Sequence, residues 1–239
     1  MNPVMAALSA AFRDLREPRV LALGLLPPFA ALLVWVFFAW MLADDWMQLT
    51  ANWITTTPWL RWISDWGLTS VFTWGSGLAA LGLLLPVMLI TAVLVIGLVA
   101  MPVIVPFVGE RHYPGLVMRR GGGFWASAWN SVVAAVIFAV LWLVTLPLWL
   151  TGIGALLIPL LLSAWFNRRV LAYDALAEHA DAAELAGVLR AARGELFLLG
   201  FLVSLLLYVP FANLLMPVLS GLAFTHYGLA RLARVRSTA

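Results

Sequence analysis

The sequence predicts an all-α integral membrane protein: two long transmembrane helices, two helical hairpins that enter the membrane from the cytoplasmic side, and interfacial amphipathic helices. Three observations lead there. Hydrophobic residues make up 64% of the 239 and charged residues 10%, against roughly 25% charged in a soluble domain. Four blocks, 20–43, 67–108, 124–167 and 196–230, contain no charged side chain. The basic residues, all fourteen of them arginine, fall outside these blocks, and arginine accumulates on the cytoplasmic side of a membrane.

Segment 1–19 places Val4, Leu8, Ala11, Phe12 and Leu15 at helical spacing ahead of Arg13, Arg16 and Arg19, the pattern of a helix lying along the inner interface. Block 20–43 suits one crossing, since about 20 apolar residues at 1.5 Å each cover roughly 30 Å of hydrocarbon. Pro27 and Pro28 are expected to kink it, and the acidic pair Asp44 and Asp45 without a small-residue cleavage site marks a retained span. Segment 44–66 sets three aspartates against Arg61 and carries Trp46, Trp53, Trp59, Trp62 and Trp66, which places it in a periplasmic interfacial belt.

Arg111, Arg119 and Arg120, then Arg168, Arg169, Arg190 and Arg193, then Arg231, Arg234 and Arg236 put the three later polar stretches in the cytoplasm. Block 67–108 must then cross once, as a tilted helix ending near Ala100 before an irregular stretch broken by Pro102 and Pro106. Blocks 124–167 and 196–230 must each leave and return on one side. The former divides around Pro147 and the turn Thr151-Gly152-Ile153-Gly154, with full or partial crossing left open. The latter divides at Pro210-Phe211-Ala212-Asn213 into limbs of fourteen residues, each only about 21 Å long, and so reads as a re-entrant hairpin; a single kinked crossing is the alternative. Connector 168–195 holds a capping-box pattern, Asp181-Ala182-Ala183-Glu184, ahead of a buried stripe of Leu185, Val188, Leu189 and Ala192. Residues 231–239 form a short basic tail.

The same residues narrow the chemistry. A net charge of +3, dispersed along the chain, argues against a nucleic-acid partner. Cysteine is absent, which removes thiolate ligands and a cysteine nucleophile. His112, His179 and His226 lie on three different segments with no acidic partner at zinc-type spacing, so no metal and no cofactor are expected. Gly121-Gly122-Gly123 reads as a flexible loop, and no serine has a plausible base. Catalysis is not expected. With no Asp, Glu, Lys or Arg inside any block, a carboxylate proton relay is disfavoured too. What remains at depth is neutral: Thr145, Thr151, Asn213, Ser220 and the starts of the second hairpin limbs, after Gly154 and after Asn213. A helix start offers free N–H groups to an anion; the alternative is that Asn213 only caps and the glycines only permit packing.

Pro106-Phe107, the stretch from Ser163 to Arg169 running into Tyr173-Asp174-Ala175-Leu176, and Val209-Pro210-Phe211-Ala212-Asn213-Leu214-Leu215-Met216-Pro217 together make a chain that resembles the CysZ and etoposide-induced membrane protein family over nearly its whole length. The resemblance implies an inner-membrane protein with two long helices and two hemi-penetrating hairpins, assembled as a homo-oligomer and admitting sulfate for cysteine biosynthesis. It also implies sulfate binding near the cytoplasmic start of the first long helix, where this chain keeps Arg19 of the family element but departs from it as Glu17-Pro18-Arg19-Val20. Val108-Gly109-Glu110-Arg111 likewise departs from the asparagine and acidic run that follow the family's proline-phenylalanine turn. The expected anion-binding residues are therefore Arg19, Asn213, Thr151, Gly152 and Gly154; the expected partners are the lipid bilayer and a small inorganic anion, sulfate first. The alternative function is a non-transporting membrane scaffold or remodelling protein.

Overall fold

The computed structural model describes residues 2–209, 212 and 215–238, and the backbone alone for 79–90, 92–98 and 124. Every regular element among them is helical: α1 (Pro3–Asp14), α2 (Pro18–Thr56), α3 (Arg61–Asp65), α4 (Thr69–His112), α5 (Phe124–Trp149), α6 (Ile153–Ala177), α7 (Ala182–Ala191), α8 (Arg193–Ser204) and α9 (Met216–Ser237), with 3-10 turns at Pro58–Leu60 and Leu205–Tyr208. Among the described residues three helical stretches, Pro18–Thr56, Trp125–Trp149 and Ile153–Ala177, are long and apolar enough to cross a membrane. The chain divides into two compact units, residues 26–95 and residues 1–25 with 96–239.

In the first of these units α2 runs on through Asp44 and Asp45 to Thr56, beyond the end of the apolar block at Ala43. No glycine or proline interrupts 44–57. The helix stops where Thr57, ahead of Pro58, turns extended, as the residue before proline favours. A small core of Ile54, Leu60 and Ile63 with Leu68 closes the turn. Trp53 meets Trp59, and Trp62 meets Phe72, edge to face at 6.1 Å, while the Ser76 hydroxyl donates to Thr50 Oγ1 at 3.2 Å.

The larger unit corrects one expectation at once. Instead of breaking after Ala100, α4 continues through Pro102 and Pro106 to His112. Each proline forfeits one backbone hydrogen bond, but Ala100, Met101, Ile104, Val105 and Val108 are all buried, and packing of neighbours around a helix offsets that loss. The remaining helices of the unit surround a core of Leu196, Leu199, Val203, Val218, Leu219, Leu222 and Phe224. Helix α1 buries Val4, Ala7, Leu8 and Ala11 there, against α8 and α9, and leaves Phe12 exposed. Asn2 caps it by accepting from the Val4 N–H at 3.0 Å.

Helices α5 and α6 form the first predicted hairpin, reversing over Leu150–Gly152. Phe138 and Phe166 pack edge to face at 5.4 Å between the limbs. The Asn130 amide donates to the Arg169 carbonyl at 3.0 Å, which sets those residues level. From that level to the turn the limbs rise about 24 and 29 Å, close to the ~30 Å of a hydrocarbon core. The expected box opens α7, with Asp181 accepting from Ala183 and Glu184 N–H and Glu184 reaching back to the Asp181 N–H; Leu185, Val188 and Ala192 are buried as expected. Helices α7 and α8, with the turn after α8, meet at 71°. Helix α9 begins at Met216, and Pro210, Phe211 and Asn213, the expected tip of the second hairpin, lie outside the described residues.

Small residues let these helices approach. A β-carbon on Gly200 would stand 2.6 Å from the Ala164 carbonyl oxygen, so α6 and α8 meet backbone to backbone, the contact that substitutes for a hydrophobic driving force in lipid. Gly200→Ala is expected to cost about 1–3 kcal/mol and to lower the thermal midpoint of the purified protein. Gly187→Ala on α7, where a β-carbon meets nothing within 4 Å, is expected to leave the midpoint unchanged or raise it. Equal midpoints for the two variants would remove the close approach from the account.

Candidate functional site

The turn joining α5 to α6 is built from Thr151, Gly152 and Gly154. Gly152 adopts φ 72°, a conformation that glycine takes without a β-carbon penalty. At Gly154 a β-carbon would run into the Leu148 carbonyl. The Thr151 hydroxyl donates to the Leu148 carbonyl at 2.7 Å and accepts from the Gly154 N–H at 3.0 Å, and the Ile153 N–H is taken by the Thr151 carbonyl at 2.8 Å. Two of the free donors expected at the start of α6 are therefore already engaged within the turn. Arg19 stands exposed in the first turn of α2. Among the described residues no hydrogen bond or ion pair joins it to the Thr151–Gly154 turn, and Asn213 lies outside them.

Positive charge gathers elsewhere, at the root of the hairpin. Arg168 feels the charges of both Arg169 and Arg193, and none of the three has a carboxylate partner among the described ion pairs. The Arg169 guanidinium lies 5.8 Å from the Trp165 ring, and its Nε is buried without a hydrogen-bond acceptor. The nearby carboxylate of Asp174 is occupied by the Ser127 hydroxyl. A second basic group faces a cavity of about 100 Å³ beneath α1, lined by Tyr113, His226, Tyr227, Arg231 and Arg234 together with alanines of α1. The Tyr227 hydroxyl donates to Glu195, whereas Arg231 and Arg234 form no described ion pair.

The glycine loop that follows α4 holds these elements in place. Rather than being flexible, 119–122 is docked: Arg119, Arg120, Gly121 and Gly122 donate their N–H groups to the carbonyls of His179, Glu178, Ala180 and Ala177 at 2.8–3.3 Å. A β-carbon on Gly121 would collide with the Asp181 backbone, and one on Gly122 would come within 2.7 Å of Ala177 Cβ. Absence of side chains is what permits the pairing. Around it Arg236 donates to Glu184 at 2.8 and 2.9 Å and to the Val117 and His179 carbonyls, and Arg119 donates to Glu184 at 2.9 Å. The end of α9 is thereby fastened to the connector and the loop.

One constellation has no signal in residue spacing. Asp14, His112 and His226 come from α1, α4 and α9, and both histidines direct Nε2 to the same Asp14 oxygen at 2.9 Å. Tertiary packing alone unites them. His179, the remaining histidine, is buried against Gly109 and apart from this group.

Residues 7–217 match the family model described as sulfate transporter CysZ/etoposide-induced protein 2.4. No curated protein and no solved structure matches the chain. The matched span includes Arg19, the Thr151–Gly154 turn, the Arg168, Arg169 and Arg193 group, Asp14 and His112; His226, Arg231, Arg234 and Arg236 lie beyond it.

The clasp at Glu184 has a pH signature. The Arg236 hydrogen bonds, opposed by burial and reinforced by the Asp181 N–H and Arg119, pull its carboxyl from an ordinary 4.5 to about 2. Because the folded value is depressed, the stabilisation is complete above about 4.5 and is lost as pH falls toward 2. The thermal midpoint of the parent is expected to fall across that window, and Glu184→Gln to start lower at neutral pH and fall less steeply. Parallel curves would show that Glu184 carries no part of the acid response.

Proposed function

The chain belongs to the sulfate transporter CysZ/etoposide-induced protein 2.4 family, and from that membership we propose that it is an inner-membrane anion channel or permease that admits sulfate for sulfur assimilation. The observation that carries this reading is the family match across residues 7–217. The arrangement of charge supports it. Arg168, Arg169 and Arg193 at the hairpin root, with Arg19, Arg231 and Arg234 on the same unit, have no carboxylate partner in an ion pair among the described residues and raise the local concentration of an anion. The four blocks hold no Asp, Glu, Lys or Arg, which disfavours a carboxylate relay that would couple flux to protons. The Thr151–Gly154 turn and Asn213 then offer neutral donors along the route, the turn through whichever N–H groups its own hydrogen bonds leave free.

Two hairpins and two long helices enclose little room for a pore within one subunit, and partially inserted tips need protein neighbours; the permeation path is therefore shared between copies in a homo-oligomer. A non-transporting membrane scaffold is the second reading, favoured by the interfacial helices and by the lack of Asp, Glu, Lys and Arg in the blocks.

Labelled sulfate uptake into proteoliposomes separates the two. The parent is expected to admit sulfate above protein-free vesicles, and Arg193→Ala to reduce initial flux on the order of tenfold at low salt, with the difference shrinking as salt screens the field. Flux indistinguishable from empty vesicles, in a preparation that crosslinks as an oligomer in native membranes, would favour the scaffold.

A further inference from the structure

We propose that Asp14, His112 and His226 form a binding site for a divalent transition-metal ion, with Zn²⁺ the ion the donor set fits best. The three ligand atoms all lie within 4.8 Å of one another. Both Nε2 atoms stand 2.9 Å from Asp14 Oδ2, and the imidazole rings are tilted 63° with centroids 4.9 Å apart, so that two ring nitrogens and a carboxylate converge on one point. Zinc holds imidazole nitrogen at about 2.0–2.1 Å and carboxylate oxygen at about 2.0–2.2 Å, which sets tetrahedral ligand atoms roughly 3.3 Å apart. Each hydrogen-bonded pair needs to open by only about 0.4 Å to admit the ion.

Electrostatics point the same way. Asp14 is 5% exposed and His226 3%, and a buried carboxylate requires a compensating positive charge. The nearest basic candidate in sequence to His112, Arg111, is committed to Glu17 at 2.7 Å, and no arginine pairs with Asp14 among the described residues. Two neutral imidazoles leave the site at net −1; a divalent cation between the three groups reverses that to +1. Imidazole ligands select zinc, cobalt, nickel or copper over magnesium and calcium, which require oxygen. His112, with a side chain 36% exposed, leaves one side of the site open, so a fourth position is available to water. The Tyr113 hydroxyl donates to the His226 carbonyl at 3.3 Å and ties the end of α4 to α9 beside the ligands. A bound ion joins α1, the end of α4 and α9, three helices distant in sequence, into one clasp on the larger unit.

The background for a test is low, because the chain has only three histidines and no cysteine. The full chain, purified in detergent with any tag removed and stripped by chelator, would be titrated with ZnCl₂ by calorimetry, with MgCl₂ as control. One zinc per chain is expected, with micromolar or tighter affinity, and a zinc-dependent rise in thermal midpoint that magnesium does not produce. His112→Gln, at the exposed ligand and least disruptive to folding, is expected to weaken zinc at least tenfold while keeping the metal-free midpoint near the parent's. Asp14→Asn and His226→Gln should weaken it further. Absence of saturable zinc binding in the folded parent would overturn the proposal, as would equal affinity in parent and His112→Gln. A midpoint that responds to pH but not to zinc would likewise overturn it, assigning the compensating charge to a proton on the histidine pair.

Discussion

Hydrocarbon offers a backbone no partner for its N–H and C=O groups and no solvation for a charge, and this chain is arranged around that constraint. Uncharged stretches form helices, and every Asp, Glu and Arg side chain lies outside the four apolar blocks. The displacement is lopsided: thirteen of the fourteen arginines belong to the larger unit, and Arg61 with three aspartates to the smaller. With no hydrophobic force to bring helices together in lipid, contact rests on shape, as where Gly200 lets α8 reach the Ala164 backbone. Polar interactions do their holding at the charged end. There Glu184, Arg119 and Arg236 join the glycine loop, the connector and the tail.

What could be read from sequence follows from the same physics. The turn at Thr151–Gly154 was legible because a threonine and two glycines within four residues interrupt a long apolar run, and the capping box at Asp181–Glu184 because its residues lie three apart and act locally. Prolines misled in α4: Pro102 and Pro106 break a helix in isolation, whereas buried neighbours keep this one continuous to His112. The extension of α2 past Ala43 was hidden for a related reason, since hydropathy reports where lipid ends and not where a helix does. Gly121 and Gly122 look like a flexible linker in sequence, yet they dock because a bare backbone is what fits against Ala177 and Asp181.

The candidate sites divide along the same line. The hairpin turn was accessible to spacing arguments, but its donors are partly consumed by its own hydrogen bonds. The arginine group of Arg168, Arg169 and Arg193 required the packing of α6 against α8 to become visible. Asp14, His112 and His226 are separated by most of the chain, and no local pattern can announce a constellation made by three helices meeting. Each of these sites lies on the larger unit, which is why the functional reading depends on where that unit faces.

Sidedness is therefore the central claim, and it rests on the arginine bias: we propose that blocks 124–167 and 196–230 both return to the side they leave, keeping the arginine-rich connectors together in the cytoplasm. Single cysteines placed in this cysteine-free chain at Thr56, Ala183 and Ser237 and challenged with an impermeant thiol reagent test it most directly. The account predicts labelling of Thr56→Cys in intact cells, and of Ala183→Cys and Ser237→Cys only after permeabilisation. Labelling of Ser237→Cys from outside while Ala183→Cys stays protected would mean that block 196–230 crosses once, and would contradict it.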